Sequence, residues 1–312
     1  MRAFLFPGQG SQAVGMGGAL AAANRTAHDV FAEVDQALGQ NLFRLMREGP
    51  DDELKLTENA QPAIMAHSLA VFRALTRDGG VELTKSASFV AGHSLGEYSA
   101  LCAAGSFDLP TTAKLLKLRG QAMQAAVPVG VGAMAALLGA DLALAQKIAD
   151  AAAQGEVCTV ANDNDPLQVV ISGHKGAIDR AIEIAKDMGA KRAVLLPVSA
   201  PFHCPLMEPA ADAMREALGQ VVIAAPALPL YANVTAQPEM DPDTVRNQLV
   251  EQVTGMVRWR ESVANLAAAG VDEFVELGGK VLGAMVKRIV PDVKVTSVVT
   301  IEDIEALAKE IA

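Results

Sequence analysis

Residues 88–98 read Ser-Phe-Val-Ala-Gly-His-Ser-Leu-Gly-Glu-Tyr and contain the pattern G-x-S-x-G at Gly92–Gly96. The apolar residues before the pattern predict a short strand, and Leu95–Ala104 after it predict a helix. The two glycines permit a sharp turn between strand and helix, which exposes Ser94 at the start of the helix. Unpaired backbone N–H groups at a helix N-terminus can hold an oxyanion. The stretch therefore predicts an α/β protein with a nucleophilic serine, although a chance occurrence of the pattern is the alternative.

The five histidines of the chain are the candidates for a general base that would activate Ser94. His203 lies between two prolines in an apolar segment, which predicts a rigid loop at a strand end. We therefore favour His203 as the base, with a buried structural histidine as the alternative. We interpret the neighbouring Cys204 as a residue that packs in the core, and not as half of a catalytic Cys/His pair. The other histidines are expected in helical patterns, at a strand end pointing away from Ser94, or in a solvated turn: His28, His67, His93 and His174.

Strands and helices alternate around the G-x-S-x-G pattern, with a strand at Ala3–Phe6 and helices at Ala27–Leu38 and Ala60–Arg77. This alternation predicts a doubly wound α/β domain with a parallel sheet. Further strands of the same sheet are expected at Leu228–Asn233 and Glu273–Glu276. Together with the serine turn, the succession predicts an α/β-hydrolase-like core.

Residues 130–198 follow a different order, βαββαβ, which predicts a ferredoxin-like unit inserted into the main domain. The polar segment Asn162–Pro166 is expected to connect its hairpin. Residues 1–129 and 199–312 would then form a large catalytic subdomain, and residues 130–198 a small one. The expected elements of the small subdomain are a strand at Ala133–Leu138, a helix at Leu142–Ala153, strands at Val157–Ala161 and Gln168–Ser172, a helix at Ala177–Met188 and a strand at Ala193–Val198.

Composition limits the class of protein. The chain has 312 residues, of which 51% are hydrophobic, so it can bury a large core. Its net charge of −10 argues against nucleic acid as the main partner. It has no apolar run long enough for a signal peptide or a membrane span, so we expect a soluble cytoplasmic protein. The three cysteines lack metal-ligand spacing and fit a reducing compartment.

Arg119 is the next informative residue. In the helix after Pro110, its neighbours at i−4, i−3, i+3 and i+4 are all apolar, which places the guanidinium on the buried face. A buried cation needs an anion. The anion is either a structural carboxylate or the carboxylate of a substrate, which arginine can bind through a two-point fork. Its proximity in sequence to Ser94 favours the substrate.

Several motifs occur together, in an order and spacing that are specific. They are Phe6–Gln12, Gln61–Ala63, Gly92–Tyr98, Arg119–Gly120, Ala200–His203, Asn233–Thr235 and Glu276–Leu282. In these motifs the chain resembles, over essentially its whole length, the malonyl-CoA:acyl-carrier-protein transacylases and the acyltransferase domains of polyketide synthases. One departure is Gly279, where that family usually has proline.

The resemblance implies transfer of a malonyl group from malonyl-CoA to the phosphopantetheine thiol of acyl carrier protein through a malonyl-serine, without a metal or redox cofactor. It implies a nucleophile at Ser94, a base at His203, a carboxylate clamp at Arg119, and a backbone carbonyl at Gln252 that orients His203. The remaining implied site residues are Gln9 and Leu95 for the oxyanion hole, and Gln61, Met123, Phe202 and Gln252 for the substrate site. Phe202 and Leu95 resemble malonyl-selective members. We expect a monomer that binds neither nucleic acid nor membrane.

An acidic carrier protein needs local positive charge on a chain that is acidic as a whole. The basic pairs Lys191-Arg192 and Lys287-Arg288 are the predicted docking residues, and an ordinary solvated surface is the alternative. Three other functions remain open at this point. They are a polyketide-pathway acyltransferase acting in trans, a serine esterase or thioesterase of α/β-hydrolase type, and a non-catalytic carrier-binding protein.

Overall fold

The protein is described by a computed structural model over residues 1–311, which form two β-sheets with helices packed around them. The strands are β1 (Arg2–Phe6), β2 (Phe89–Gly92), β3 (Gly132–Leu138), β4 (Cys158–Asp165), β5 (Gln168–His174), β6 (Arg192–Leu195), β7 (Leu230–Tyr231), β8 (Pro238–Glu239), β9 (Glu273–Leu277) and β10 (Lys294–Val298). Within the described residues the larger sheet has six strands, in the order β10-β9-β1-β2-β7-β8. Only β8 is antiparallel to its neighbour.

The helices of the described residues cover both sheets. They are α1 (Gly18–Ala23), α2 (Arg25–Leu38), α3 (Leu42–Glu48), α4 (Asp51–Lys55), α5 (Thr57–Arg73), α6 (Leu83–Ser86), α7 (Leu95–Ala103), α8 (Leu109–Ala126), α9 (Leu142–Ala153), α10 (Lys175–Ala185), α11 (Glu208–Gly219), α12 (Pro242–Thr254), α13 (Trp259–Ala268), α14 (Leu282–Ile289) and α15 (Ile301–Ile311). A π-helical turn at Ala74–Asp78 extends α5, and a 3₁₀ turn at Pro205–Met207 precedes α11. None of these helices is long and apolar enough to cross a membrane.

Strand β1 lies inside the parallel sheet, between β9 and β2. Its residues from Ala3 to Phe6 are fully buried, as expected for an apolar run with helices on both faces of the sheet. Phe6 lies opposite Gly92 in the parallel register of β1 and β2. The chain segments that follow these two strands therefore leave the sheet at the same edge.

Helix α5 crosses the core and packs against α2 and α8. Fifteen of its seventeen residues are buried, polar ones included. A helix that is enclosed on every side places its polar side chains among other protein groups. Gln61 of α5 thereby faces Arg119 of α8.

The smaller sheet is antiparallel, with the strand order β4-β5-β3-β6. Helices α9 and α10 pack against each other and against its strands. Leu137, Ile148 and Ile171 belong to an apolar core of its own, built largely from alanine, valine and isoleucine. The sheet contacts the larger unit through β4, which packs against α13 and α14.

The structure confirms the mixed α/β fold with a parallel-sheet core, and it corrects several expected elements. The hairpin connection predicted at Asn162–Pro166 is wrong, because β4 continues through Asp165 and the turn is only Pro166-Leu167. Helix α5 begins at Thr57, three residues earlier than expected, and the expected end at Arg77 lies in its π-helical extension. The strand expected at Leu228–Asn233 is reduced to Leu230-Tyr231, since only these residues pair with β2.

Candidate active site

Ser94 stands between β2 and α7 with φ 53° and ψ −112°. Positive φ in a residue other than glycine costs about 1–3 kcal/mol, so the surrounding structure must hold this conformation. The flanking glycines have a separate role: a Cβ on Gly92 would lie 2.0 Å from the Gly96 backbone, and one on Gly96 would lie 2.2 Å from the Phe6 carbonyl oxygen. Glycine is therefore required for the close approach of β1, β2 and α7, and the backbone strain falls on Ser94.

The Oγ of Ser94 lies 2.8 Å from Nε2 of His203, a buried residue whose own φ is 57°. Nδ1 of His203 lies 2.8 Å from the backbone carbonyl oxygen of Gln252. A carbonyl can only accept, so Nδ1 carries the proton and Nε2 of the neutral ring accepts from the Ser94 hydroxyl. Burial, with the positive charge of Arg119 as the second cause, lowers the pKa of His203 to about 3. The imidazole is therefore neutral at pH 7 and able to take a proton.

Arg119 is 1% exposed, and α8 brings its guanidinium beside the serine. Nη1 donates to Oε1 of Gln61 at 2.8 Å, while Nη2 donates to Oε1 of Gln252 at 2.8 Å and to Oγ of Ser94 at 3.2 Å. Among residues 1–311, no carboxylate lies within 4.0 Å of this guanidinium. No carboxylate of residues 1–311 therefore pairs directly with Arg119, although the buried Glu97 is close enough to act on its charge, and the guanidinium donates to neutral groups.

A cavity of about 270 Å³ opens over Ser94, His203 and Arg119. Its wall includes Gln9 from the segment after β1 and Leu95, the first residue of α7. Because Leu95 begins the helix, its N–H has no acceptor within the helix. Other lining residues include Gln61, Met123, Met134, Asn162, Phe202 and the segment Leu196–Val198 that follows β6. The cavity is thus lined by residues from both the larger parallel-sheet unit and the smaller antiparallel-sheet unit.

The structure brings together every predicted residue of the serine site, with one change. Gln252 was grouped with the substrate residues, but it is fully buried and lies behind Arg119, outside the cavity wall. Its backbone carbonyl holds His203 and its side chain holds Arg119. Gln252 therefore contacts His203 and Arg119, which line the cavity, but does not line the cavity itself.

Two neighbours of Ser94 were not assigned a role from sequence. Oδ1 of Asn233 accepts the Ser94 backbone N–H at 2.7 Å, and Nδ2 of Asn233 donates to the Gly92 carbonyl at 2.7 Å. Glu97, 1% exposed, accepts from Nε2 of Gln252, and burial raises its pKa to about 8. Both residues stand in motifs quoted above, yet their contacts cross from α7 to residues over a hundred positions away. The one sequence signal for Glu97 and Asn233 is that each is a polar residue in an otherwise apolar segment.

Strand β4 carries an unexpected run of buried polar residues, Asn162 to Asp165. Oδ1 of Asn164 lies 2.8 Å from Nε2 of His93, so the His93 ring bonds the smaller sheet. Asp163 forms an ion pair with Arg260 at 2.8 Å, and Asp165 forms one with Arg288 at 2.8 Å. These polar residues are buried because their partners lie on α13, on α14 and in the serine turn. Their sequence alone is typical of a surface loop.

The predicted docking residues separate into two groups. Lys191 and Arg192 are exposed at the start of β6, with no acidic partner among residues 1–311. Arg288, in contrast, is engaged by buried Asp165, and Lys287 donates to the carbonyl oxygens of Pro291 and Val293. The second pair thus has internal contacts that sequence could not indicate.

Two of the remaining histidines, His67 and His174, have structural contacts. Nδ1 of His67 lies 3.2 Å from the Gly278 carbonyl oxygen, and burial lowers the pKa of His67 to about 4. Nδ1 of His174 accepts the Val157 N–H at 2.9 Å at the end of β5, so the solvated turn expected there is wrong. In residues 1–311, no group of three or more His, Cys, Asp or Glu side chains is arranged to hold a metal ion.

Comparison with known proteins agrees with this geometry. The family model of the acyl transferase domain matches residues 3–300. The chain belongs to this acyltransferase family. It is 46% identical over 289 residues to the malonyl CoA-acyl carrier protein transacylase of Escherichia coli strain K12, covering 92% of each chain. It is 43% identical over 305 residues to the protein of that name in Bacillus subtilis strain 168, covering 97% of this chain and 95% of the relative.

Solved structures give the same result. The acyl-carrier-protein-S-malonyltransferase of Bartonella henselae superposes with a TM-score of 0.97 at 52% identity, over 99% of both chains. A malonyl-transacylase in complex with a type II polyketide-synthase acyl-carrier protein superposes with a TM-score of 0.95 at 39% identity, again over 99% of both. These comparisons confirm the resemblance to the malonyl-CoA:acyl-carrier-protein transacylases that the motifs indicated. The protein is an enzyme of the acyltransferase family.

Proposed function

We propose that this acyltransferase moves a malonyl group from malonyl-CoA to the phosphopantetheine thiol of an acyl carrier protein, in fatty-acid biosynthesis. The observation that carries the proposal is one cavity holding both a Ser94–His203 pair at 2.8 Å and a buried arginine without a carboxylate partner. The Ser94–His203 pair can carry out acyl transfer. The buried arginine favours an acyl group that bears a carboxylate. The names of the relatives support the same substrate and acceptor.

In the first half-reaction, Oγ of Ser94 attacks the thioester carbonyl of malonyl-CoA while Nε2 of His203 takes the hydroxyl proton. The carbon–sulfur bond then breaks, His203 returns the proton to the departing sulfur, and CoA leaves as a free thiol. The neutral ring is ready for the first step, and the Gln252 carbonyl stabilises the imidazolium that forms. The carbonyl of Gln252 takes the place that a carboxylate holds in a three-residue triad.

The backbone N–H groups of Gln9 and Leu95 would hold the oxyanion of the tetrahedral intermediate. Both residues line the cavity, and both follow parallel strands that end side by side. Leu95 contributes a donor left unpaired by the start of α7. Loss of one such donor typically costs about 10²–10³ in rate.

Arg119 would bind the malonyl carboxylate, with Gln61, Met123 and Phe202 around the acyl group. Gln61 and Gln252 each take one terminal nitrogen of the guanidinium, which fixes the plane of the fork. A carboxylate entering the cavity would give the buried cation the anion it lacks. This arrangement favours malonyl over acetyl.

In the second half-reaction the carrier's thiol gives its proton to Nε2 of His203 and attacks the malonyl ester of Ser94. The ester carbon–oxygen bond then breaks, and His203 returns the proton to Oγ, which regenerates the serine hydroxyl. The exposed pair Lys191-Arg192 is the first choice for carrier docking. Arg192 lies four residues before Leu196 of the cavity wall, which is about 13 Å along an extended chain. Lys287 and Arg288 stay part of the docking proposal, although their internal contacts give them a structural role as well.

Intact-mass measurement tests the proposed reaction directly. The protein is mixed in turn with malonyl-CoA, methylmalonyl-CoA and acetyl-CoA, and the acylated protein is then given holo acyl carrier protein. We expect a malonyl adduct that is lost when the carrier gains the same mass. An adduct that releases free malonate to water, at a rate that carrier does not change, would support a hydrolase in place of the transferase.

Reversing the charges of Lys191 and Arg192 tests docking. We expect a higher KM for the carrier with weaker salt dependence, and unchanged acylation by malonyl-CoA. Arg288→Glu is measured separately, because it also breaks the contact with Asp165. Equal losses for both substrates in the Lys191 and Arg192 variant would remove this surface from the proposal.

One alternative has specific support. The neighbour solved with a polyketide-synthase carrier protein is 39% identical over 99% of this chain, so an acyltransferase serving a polyketide pathway in trans has the same fold. Comparing fatty-acid and polyketide carrier proteins as acceptors separates the two. The serine esterase or thioesterase is less favoured, because His203 is oriented by a carbonyl oxygen and not by a carboxylate.

The proposal includes the domain arrangement. Residues 130–198 would be a ferredoxin-like subdomain inserted in an α/β-hydrolase-like catalytic subdomain of residues 1–129 and 199–312. The strand order β4-β5-β3-β6 and the separate apolar core support this division. One chain supplies all the residues of the site, which fits a monomer, and its three free cysteines fit a cytoplasmic location.

A further inference from the structure

The serine turn contains a helix-capping pattern that does not cap. Ser94 is the N-cap of α7 and Glu97 is three residues later, the arrangement in which serine and glutamate side chains normally bond each other's backbone N–H groups. Here Asn233 accepts the Ser94 N–H at 2.7 Å, and the Ser94 side chain points to His203. The Glu97 side chain is thereby released from capping, and it bonds Gln252 on α12.

Gln252 is fully buried, and its side-chain amide has partners on both sides. Oε1 accepts from Nη2 of Arg119 at 2.8 Å, while Nε2 donates to the Ser94 carbonyl at 3.1 Å and to Glu97. These two acceptors are the nearest to the amide nitrogen, and Oδ1 of Asn233 lies farther off at 3.5 Å. With both acceptors present, the amide oxygen must face Arg119. Loss of Glu97 removes the nearest of the acceptors that fix this orientation, and a flipped amide would place an NH₂ group against the guanidinium.

We propose that Glu97 is a positioning residue that orients the Arg119 guanidinium through the side-chain amide of Gln252. The inference rests on the proposed function, because its consequence is selectivity for a carboxylate-bearing acyl group. Glu97 touches neither substrate nor reacting atoms. Burial raises the pKa of Glu97, and in either protonation state a carboxyl oxygen can accept from Gln252. A glutamine at position 97 can present the same acceptor.

Three variants test the role of Glu97. Glu97→Met keeps the length of the side chain and removes the acceptor, Glu97→Gln keeps the acceptor and removes the titratable group, and Ser99→Ala changes a buried residue of α7 with no hydrogen-bond partner. Acylation rates with malonyl-CoA and acetyl-CoA are measured for each, together with the melting temperature. For Glu97→Met we expect a loss of about 10- to 100-fold with malonyl-CoA, because misplacing a binding group by about 1 Å has an effect of this size. The rate with acetyl-CoA should change much less.

Glu97→Gln and Ser99→Ala should keep the wild-type ratio of malonyl to acetyl rates. Gln252→Met provides a second route if Glu97→Met does not fold, since it preserves the backbone carbonyl that holds His203. It should reproduce the selective loss, and the double variant should lose little more than either single variant.

Equal loss with both acyl groups in Glu97→Met, or an unchanged ratio in Gln252→Met, would overturn the role of Glu97. A wild-type protein that forms no malonyl adduct would overturn the proposed function instead. The two failures are therefore distinguishable.

Discussion

Arg119→Ala separates binding of the malonyl carboxylate from the chemistry of acyl transfer. The guanidinium is 1% exposed and bonded to two glutamine oxygens and the serine hydroxyl. In the malonyl complex this buried guanidinium would gain a carboxylate as its partner. Removing one partner of a buried ion pair costs about 3–5 kcal/mol, and about 1.4 kcal/mol corresponds to a factor of ten.

The variant should therefore acylate with malonyl-CoA about 10²–10³ times more slowly, after a discount for water entering the enlarged cavity. Acetyl-CoA has no carboxylate, so its rate should fall little, and it rises if the buried cation disfavours acetyl in the wild type. Arg119→Lys should recover only part of the malonyl rate, because an ammonium lacks the planar fork that Gln61 and Gln252 hold.

Single-turnover acylation, followed by intact mass or rapid quench, measures both acyl groups in one buffer. Lys114→Ala is the matched control, since Lys114 is exposed on the same helix. It should leave both rates unchanged. An equal fold-loss with malonyl-CoA and acetyl-CoA in Arg119→Ala would make Arg119 a structural residue and refute the clamp.

Three further results are expected. Ser94→Ala should form no acyl-enzyme by intact mass, and His203→Ala should fold but react about 10²–10⁴ times more slowly in both half-reactions; a malonyl adduct on Ser94→Ala would locate the nucleophile elsewhere. Because the pKa of His203 is lowered to about 3, its base form persists as pH falls, and acylation should hold down to about pH 5; a limb centred on the ordinary pKa near 6.5 would contradict this. Asp165→Ala should lower the free energy of unfolding by about 1–3 kcal/mol in urea, since Asp165 is buried while its partner Arg288 is partly solvated; no change would mean that the pair is dispensable.

The sequence alone was enough for the features that depend on local pattern. The glycines, the apolar strand and the helix after it predicted the serine turn, because glycine leaves room for the close approach of strand and helix, and the flanking apolar patterns are local. The apolar neighbours of Arg119 predicted its burial, since helical periodicity decides which face is enclosed. The order βαββαβ predicted for residues 130–198 is likewise the order of elements in the smaller unit, because each of these elements has a clear local period.

Tertiary structure decided which polar groups meet. Asn162–Asp165 has the composition of a turn, yet it forms a buried strand because Arg260, Arg288 and His93 supply partners from distant parts of the chain. Glu97 is a second example. Its position three residues after Ser94 predicts a helix cap, but in the folded protein its side chain accepts a hydrogen bond from Gln252. Hydrogen bonds across more than a hundred residues depend on how the sheet and helices pack. No local period in the sequence encodes them.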